Sequence, residues 1–286
     1  MKADQAPISQ RSPESMARRS LAPPIPPHVP ELRRRLSSFI NQMGEISMLS
    51  WRTIRSIPRR PLEIPSLIYQ MESLGVRSVS IVVVTSVFIG MVMTIQFAFG
   101  LSRFGGIEYI PRVVVLSFLR ELAPTLTAVI VGGRIGSGMA AEVGAMNVTE
   151  QVDAIRALGA DPVKKLVLPR VAAAVLVMPV LALMALALGI LGAMIICATQ
   201  YNITPTWFLR SSLESVVLSD LTAGMFKTPF FGFIMAIIGC HNGLRTRGGT
   251  EGVGTSTTKT VVAVSIAILV ADFVLTKLAI IMRLGE

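Results

Sequence analysis

The chain has 286 residues, 52% of them hydrophobic and only 15% charged, with a mean hydropathy of +0.64. A soluble domain carries about 25% charged residues, and here the apolar residues fall in long uncharged blocks, between Arg77 and Arg103 and again between Arg170 and Arg210, as a bilayer core demands. The net charge of +10 does not signal nucleic-acid binding. Residues 1–77 hold twelve Lys/Arg against six Asp/Glu, just ahead of the first span, which reads as a cytoplasmic anchor facing anionic lipid.

The expected fold is an all-α membrane protein, with an interfacial helix, five spans, and a short cytoplasmic helix between spans two and three. Residues 1–30 form a Pro-rich tail, too dense in proline for helix or strand. Residues 31–76 form the interfacial region. Leu32, Leu36, Phe39, Met43 and Ile46 make one stripe beside Arg33, Arg34 and Arg35, the pattern of a helix lying in the membrane surface or packed on a soluble partner. Pro58, Pro61 and Pro65 break it, and a second short helix over 67–74 ends at Gly75. Residues 77–286 form the five-span domain.

The spans fall near 78–100, 111–141, 166–198, 220–243 and 258–283. Span two contains Arg120, Glu121 and Arg134. Ionisable groups at hydrocarbon depth are costly unless paired or lining a wet cavity. For Arg120 and Glu121 the cavity is the favoured expectation, because Pro124 should loosen the helix there; the alternative is an ion pair with Lys227 or Asp272. Asp272 itself reads as a structural group bonded across helices. Gly132, Gly136, Ala140 and Gly144 recur at every fourth position, a spacing that lets backbones touch. It serves either packing within the chain or a homodimer seam.

Residues 144–162 carry the sharpest local signal. Asn147 and Glu150 have the spacing of a capping box, Val148, Val152 and Ile155 share one face, and Gly159 with Asp161-Pro162 ends the helix. A capped polar helix between two spans is expected to dock onto another protein. Positive charge places this helix and the N-terminus on the cytoplasmic side.

Thr204-Pro205 opens a short helix in the outside loop. Residues 243–258, rich in Gly and Thr, read as a tight turn whose Thr-rich end caps span five; they lack the Gly-Lys-Ser/Thr ending of a phosphate loop. Cys197 and Cys240 have no metal or redox spacing. No catalytic constellation and no metal set is visible, so neither chemistry nor a cofactor is expected of this chain.

Several ordered motifs resemble the MlaE/YrbE permease family. They are Arg120-Glu-Leu-Ala-Pro-Thr-Leu-Thr127, Gly133-Arg-Ile-Gly-Ser137, Ala141-Glu-Val-Gly144, Thr149-Glu-Gln-Val-Asp-Ala154, Val167-Leu-Pro-Arg170 and Asp272-Phe-Val-Leu-Thr276. The resemblance implies the inner-membrane permease subunit of an ABC-type phospholipid transporter, a homodimer. ATP and Mg would be held by a separate cytoplasmic ATPase. An MCE-domain protein would sit outside in the periplasm, and a small STAS-domain regulator could join the assembly. Glu150, Gln151, Asp153, Ala154 and Arg156 would form the helix coupled to the ATPase. Arg120 and Glu121 match positions near the lipid pocket, with Met91, Ile95 and Phe99 of span one expected to carry the acyl chains. An ion-driven carrier using Glu121, Lys227, Asp272 and Lys277 is the main rival, and a membrane scaffold the other.

Overall fold

Long apolar runs dictate long helices, because no water is present in hydrocarbon to satisfy an open backbone. The computed structural model describes residues 31–56 and 64–281, without the side chains of 31–36, 38 and 39. The Pro-rich tail, the proline-marked break at 57–63 and half of the interfacial stripe therefore lie outside the described residues. Among those described, every regular element is helical. The chain divides into two compact units, residues 1–45 and 46–286.

Helix α1 runs Glu31–Ser56. In the first unit its side chains at Ile40 and Met43 are exposed. In the second unit its last turns bury Leu49 and Thr53 while Met48, Trp51 and Ile54 stay exposed.

Among the described residues, five helices are long and apolar enough to cross a membrane: α2 (Ile64–Ser102), α3 (Ile107–Val148), α5 (Val163–Gln200), α7 (Leu218–Leu244) and α8 (Gly249–Ile281). Between them lie the short α4 (Gln151–Ala157) and α6 (Pro205–Ser215). The N-cap of α6 is Thr204, whose hydroxyl accepts from the Trp207 amide, so the expected opening at Thr204-Pro205 is observed.

Two expected boundaries are corrected. The break at Gly75 is absent: α2 is one helix of 39 residues, about 58 Å long. Its buried stripe, Gln70, Leu74, Ser78, Val82, Ser86, Gly90, Thr94 and Ala98, steps by four residues across Gly75 without interruption. A glycine whose neighbours keep packing on both sides loses only its propensity cost of about 1 kcal/mol, too little to end such a helix. The expected turn over 243–258 shrinks to residues 245–248, because α8 already starts at Gly249. Thr255, Thr257 and Thr258 sit inside α8 and return their hydroxyls to its own carbonyls, so they cap nothing.

Two apolar clusters hold the spans together. One joins α2, α3, α5, α7 and α8 around Val131, Ile135, Met178, Phe231, Met235 and Ile268. The other gathers Ile110, Val114, Phe118, Leu186 and Phe208 toward the opposite end. Close backbone approach is what glycine supplies: a Cβ on Gly90 would strike the Gly189 carbonyl of α5.

Candidate functional site

Helix α3 opens with a 3-10 turn at Ile107–Tyr109 and is α-helical beyond it except over Phe118–Leu126, where it widens into a π-helix containing Pro124. Proline has no N–H to give the preceding turn, and a wider turn accommodates the loss. Such π stretches recur at functional sites, and this one carries Arg120 and Glu121.

Both side chains are engaged in ion pairs. Glu121 Oε1 accepts from Lys227 Nζ of α7 at 2.8 Å and from the Thr276 hydroxyl of α8 at 3.1 Å. Lys227 Nζ also reaches Asp272 Oδ1 at 3.2 Å, the Thr276 oxygen at 2.6 Å and the Arg120 carbonyl at 3.3 Å. Arg120 Nε donates to Asp220 Oδ1 at 2.7 Å, and its Nη2 meets the same oxygen. Asp220 Oδ2 in turn accepts the Val217 amide at the start of α7. Three elements, α3, α7 and α8, thus meet in one network.

Of the two readings weighed for Arg120 and Glu121, ion pairing is the one seen here. Neither of two clefts, of about 570 and 630 Å³, includes them. The ion-pair alternative holds for Glu121, and Asp272 is bonded across helices as expected. Asp220, the partner of Arg120, was not foreseen; its place in the first turn of a span was the available signal. Lys227 is buried, yet the side chains of Arg120 and Glu121 remain 44% and 41% exposed. One lysine faces two carboxylates, so the trio carries an excess negative charge, tolerable because Glu121 reaches the surface.

Met91 is half-buried, and Ile95 and Phe99 are exposed on α2, where Phe99 lies under the Arg103 guanidinium at 4.6 Å. No described hydrogen bond or ion pair ties that face to Arg120 or Glu121.

The glycine stripe of α3 is occupied from within the chain. A Cβ on Gly132 would meet Ile268, Val264 and Met235, one on Gly136 would meet Val264 and Thr260, and one on Gly144 would meet Thr246. Ala140 is fully buried. Of the two uses left open for this spacing, intramolecular packing is the one observed.

At the end of α3 the chain reverses through Glu150, which adopts a left-handed backbone (φ 59°). Its carbonyl accepts the Ala154 amide at 2.9 Å, opening α4. The capping box is a further correction. Helix α3 continues through Val148, so Asn147 lies inside it and cannot cap the next helix. Its side chain instead donates to the Thr246 carbonyl, pinning the α3–α4 corner to the 245–248 turn. Helix α4 is consequently only about two turns long. Val152 is its one buried residue, while Glu150, Gln151, Asp153, Ala154 and Arg156 are exposed. Arg156 bonds Asp153 at 2.8 Å, and Leu158 beyond it is 86% exposed. Gly159 (φ 78°) ends the helix as expected.

Beneath this corner Arg170, buried at the start of α5, holds the Leu166 carbonyl at 2.8 Å and Glu142 at 3.3 Å. Among the described residues there is no cluster of three His, Cys, Asp or Glu side chains able to hold a metal.

A five-span helical chain with a partly buried ionic network and a short polar helix at one end has the frame of a multi-pass membrane protein. Comparison places it more closely. The model of the permease MlaE family matches residues 67–278, and the chain belongs to that family. It is 42% identical over 243 residues to a probable ABC transporter permease protein of Synechocystis, covering 85% of this chain and 92% of the relative. A probable ABC transporter permease protein of Rickettsia typhi is 40% identical over 240 residues, 84% of this chain and 93% of its own. The chloroplastic protein TRIGALACTOSYLDIACYLGLYCEROL 1 of Arabidopsis thaliana is 36% identical over 239 residues, 84% and 68% respectively.

Proposed function

We propose that this ABC permease subunit moves phospholipid between the inner membrane and a periplasmic MCE-domain carrier, as a homodimer driven by a separate ATPase, in the service of outer-membrane lipid asymmetry. The observation that carries the reading is the network of Arg120, Glu121, Lys227, Asp272 and Asp220 held within the bundle, with two of its charges still exposed. A route for purely apolar cargo would need no such group, whereas a lipid with a charged head requires one. The Arabidopsis relative bears the name of a galactosylated diacylglycerol, which agrees with a diacyl lipid as cargo.

Helix α4 is the coupling helix. Its exposed Glu150, Gln151, Asp153, Ala154 and Arg156 face the ATPase, which holds ATP and Mg, and the Asn147–Thr246 bond transmits its displacement to the turn leading into α8. ATP-driven closure of the ATPase moves the coupling helices and narrows the space between the α3 and α8 walls. Lys164, Lys165, Arg245, Arg247 and Lys259 cluster at the α4 end of the spans, which supports a cytoplasmic position for that end. The homodimer seam lies on a face other than the Gly132–Gly144 stripe, which the chain fills itself. A STAS-domain regulator belongs to the ATPase side of the assembly. Met91, Ile95 and Phe99 offer their exposed surface to acyl chains.

The test is copurification of tagged protein from its native membrane, with lipid mass spectrometry and an ATPase assay on the eluate. An ATPase eluting with bound phospholipid supports the reading. An eluate without ATPase activity or phospholipid contradicts it.

A further inference from the structure

Toward the α4 end of the bundle, α2, α3 and α8 leave a cleft of about 570 Å³ between them. Its polar wall holds Arg77 of α2, Arg134 and Ser137 of α3, and Thr257 of α8. Leu74 and Val261 form part of its apolar wall. The volume falls within the range of small-molecule sites.

The charge balance of this cleft is one-sided. Arg134 is half-buried, and its Nη1 donates to the Ser78 hydroxyl at 2.8 Å. Ser78 is fully buried and gives its own proton to the Leu74 carbonyl at 2.6 Å, so the guanidinium is aimed by α2 and left with its other N–H groups. Arg77 forms no ion pair among the described residues. The one carboxylate lining the cleft, Glu142, is already paired with Arg170. Two guanidinium groups therefore face a space in which no described acid answers them. Guanidinium prefers planar oxyanions, phosphate above all, and an unanswered arginine beside a bilayer marks a ligand or water path. Gly138 keeps the floor open: a Cβ there would meet no atom within 4 Å.

We infer that this cleft binds a phosphate ester, held by Arg77 and Arg134 with the apolar wall beside it. The ester is either the head group of a phospholipid or a soluble phosphate ester, and the two share the same contacts. Arg134 lies fourteen residues along α3 from Arg120, about 20 Å away, so this site is separate from the ionic network. It would hold the head group at the α4 end of the path. The inference rests on the lipid-permease reading for its place in transport, though not for the anion chemistry.

The experiment uses the full-length protein in nanodiscs. It compares retention of a fluorescent phosphatidylglycerol with that of a fluorescent diacylglycerol carrying the same chains, with glycerol 3-phosphate as soluble competitor. The variants are Arg77→Gln with Arg134→Gln, and separately Gly138→Leu, which fills the cleft and leaves both arginines in place. The wild type should prefer the phosphatidylglycerol at least tenfold, and both variants should lose that preference. Displacement by glycerol 3-phosphate at comparable concentration would uphold the site and assign it a soluble ligand. Preference retained in both variants overturns the inference while leaving a phospholipid permease intact. A wild type that holds no phospholipid removes the reading beneath it as well. A change in assembly mass in either variant would make the cleft a seam between copies, which also overturns it.

Discussion

Lys227 is the residue on which the ionic network depends, because among the described residues it alone pairs with both Glu121 and Asp272. Removing one partner of a buried pair costs about 3–5 kcal/mol, since the remaining charge is stranded. Lys227→Ala should therefore lower the thermal midpoint of the detergent-solubilised protein sharply, read by tryptophan fluorescence from Trp51 and Trp207. Glu121→Gln should cost much less, because it removes the excess negative charge and keeps an acceptor for Lys227. A Glu121→Gln protein as unstable as Lys227→Ala would contradict the charge balance drawn here. The sequence marked Glu121, Lys227 and Asp272 as costly intramembrane charges, yet it left open whether they meet. Their pairing depends on the rotation of three helices about their axes, which residue spacing within each helix does not determine. Asp220 was missed for the same reason, being read as a helix start and not as the partner of Arg120.

At the scale of single elements, α2 and α3 respond differently to the same substitution. Gly90→Ala places a methyl group against the Gly189 backbone, and overpacking of this kind costs about 1–3 kcal/mol. Gly138→Ala meets open space and should gain up to about 1 kcal/mol of helix propensity. Thermal midpoints in detergent should move in opposite directions, and equal shifts would refute the packing described between α2 and α5. The five spans were legible because hydrophobic length is a local property. Their ends were less so. Gly75 and the Thr-rich segment 255–258 carry strong local stop and cap signals, and tertiary packing and helix continuation overrode both. At Asn147 a sound capping pattern failed because α3 persists one residue past it, and the strained Glu150 backbone makes the turn instead. Gly159, by contrast, sits where no packing opposes its preference, and it ends α4 as its sequence suggests.

Across the whole molecule, the arginines and lysines at the α4 end are the ground for proposing that end as the cytoplasmic one. Leu158→Cys and Leu213→Cys, both at exposed positions, test this directly, since the native Cys197 and Cys240 are buried. A membrane-impermeant maleimide should label Leu158→Cys only in inverted vesicles and Leu213→Cys only from the outside; the reverse pattern would invert the topology. The family was readable from ordered motifs spread along α3, α4, α5 and α8, and the match over residues 67–278 agrees with them. The assembly around the chain was not readable in the same way, because a subunit's own packing says little about which outer face meets a partner. The small-residue stripe of α3 shows this: its spacing suits a dimer seam and an internal contact equally, and α7 and α8 fill it.

The central claim is that ATP hydrolysis by a partner drives phospholipid through this subunit by way of α4. Its most direct test is ATP-dependent transfer of labelled phospholipid in proteoliposomes containing the purified complex, comparing wild type with the double substitution Glu150→Lys and Asp153→Lys. The account predicts ATP-dependent transfer in the wild type and at least a tenfold loss in the double variant, with thermal midpoint and assembly of the permease unchanged. Transfer that proceeds equally without ATP, or that survives the charge reversal undiminished, would contradict it.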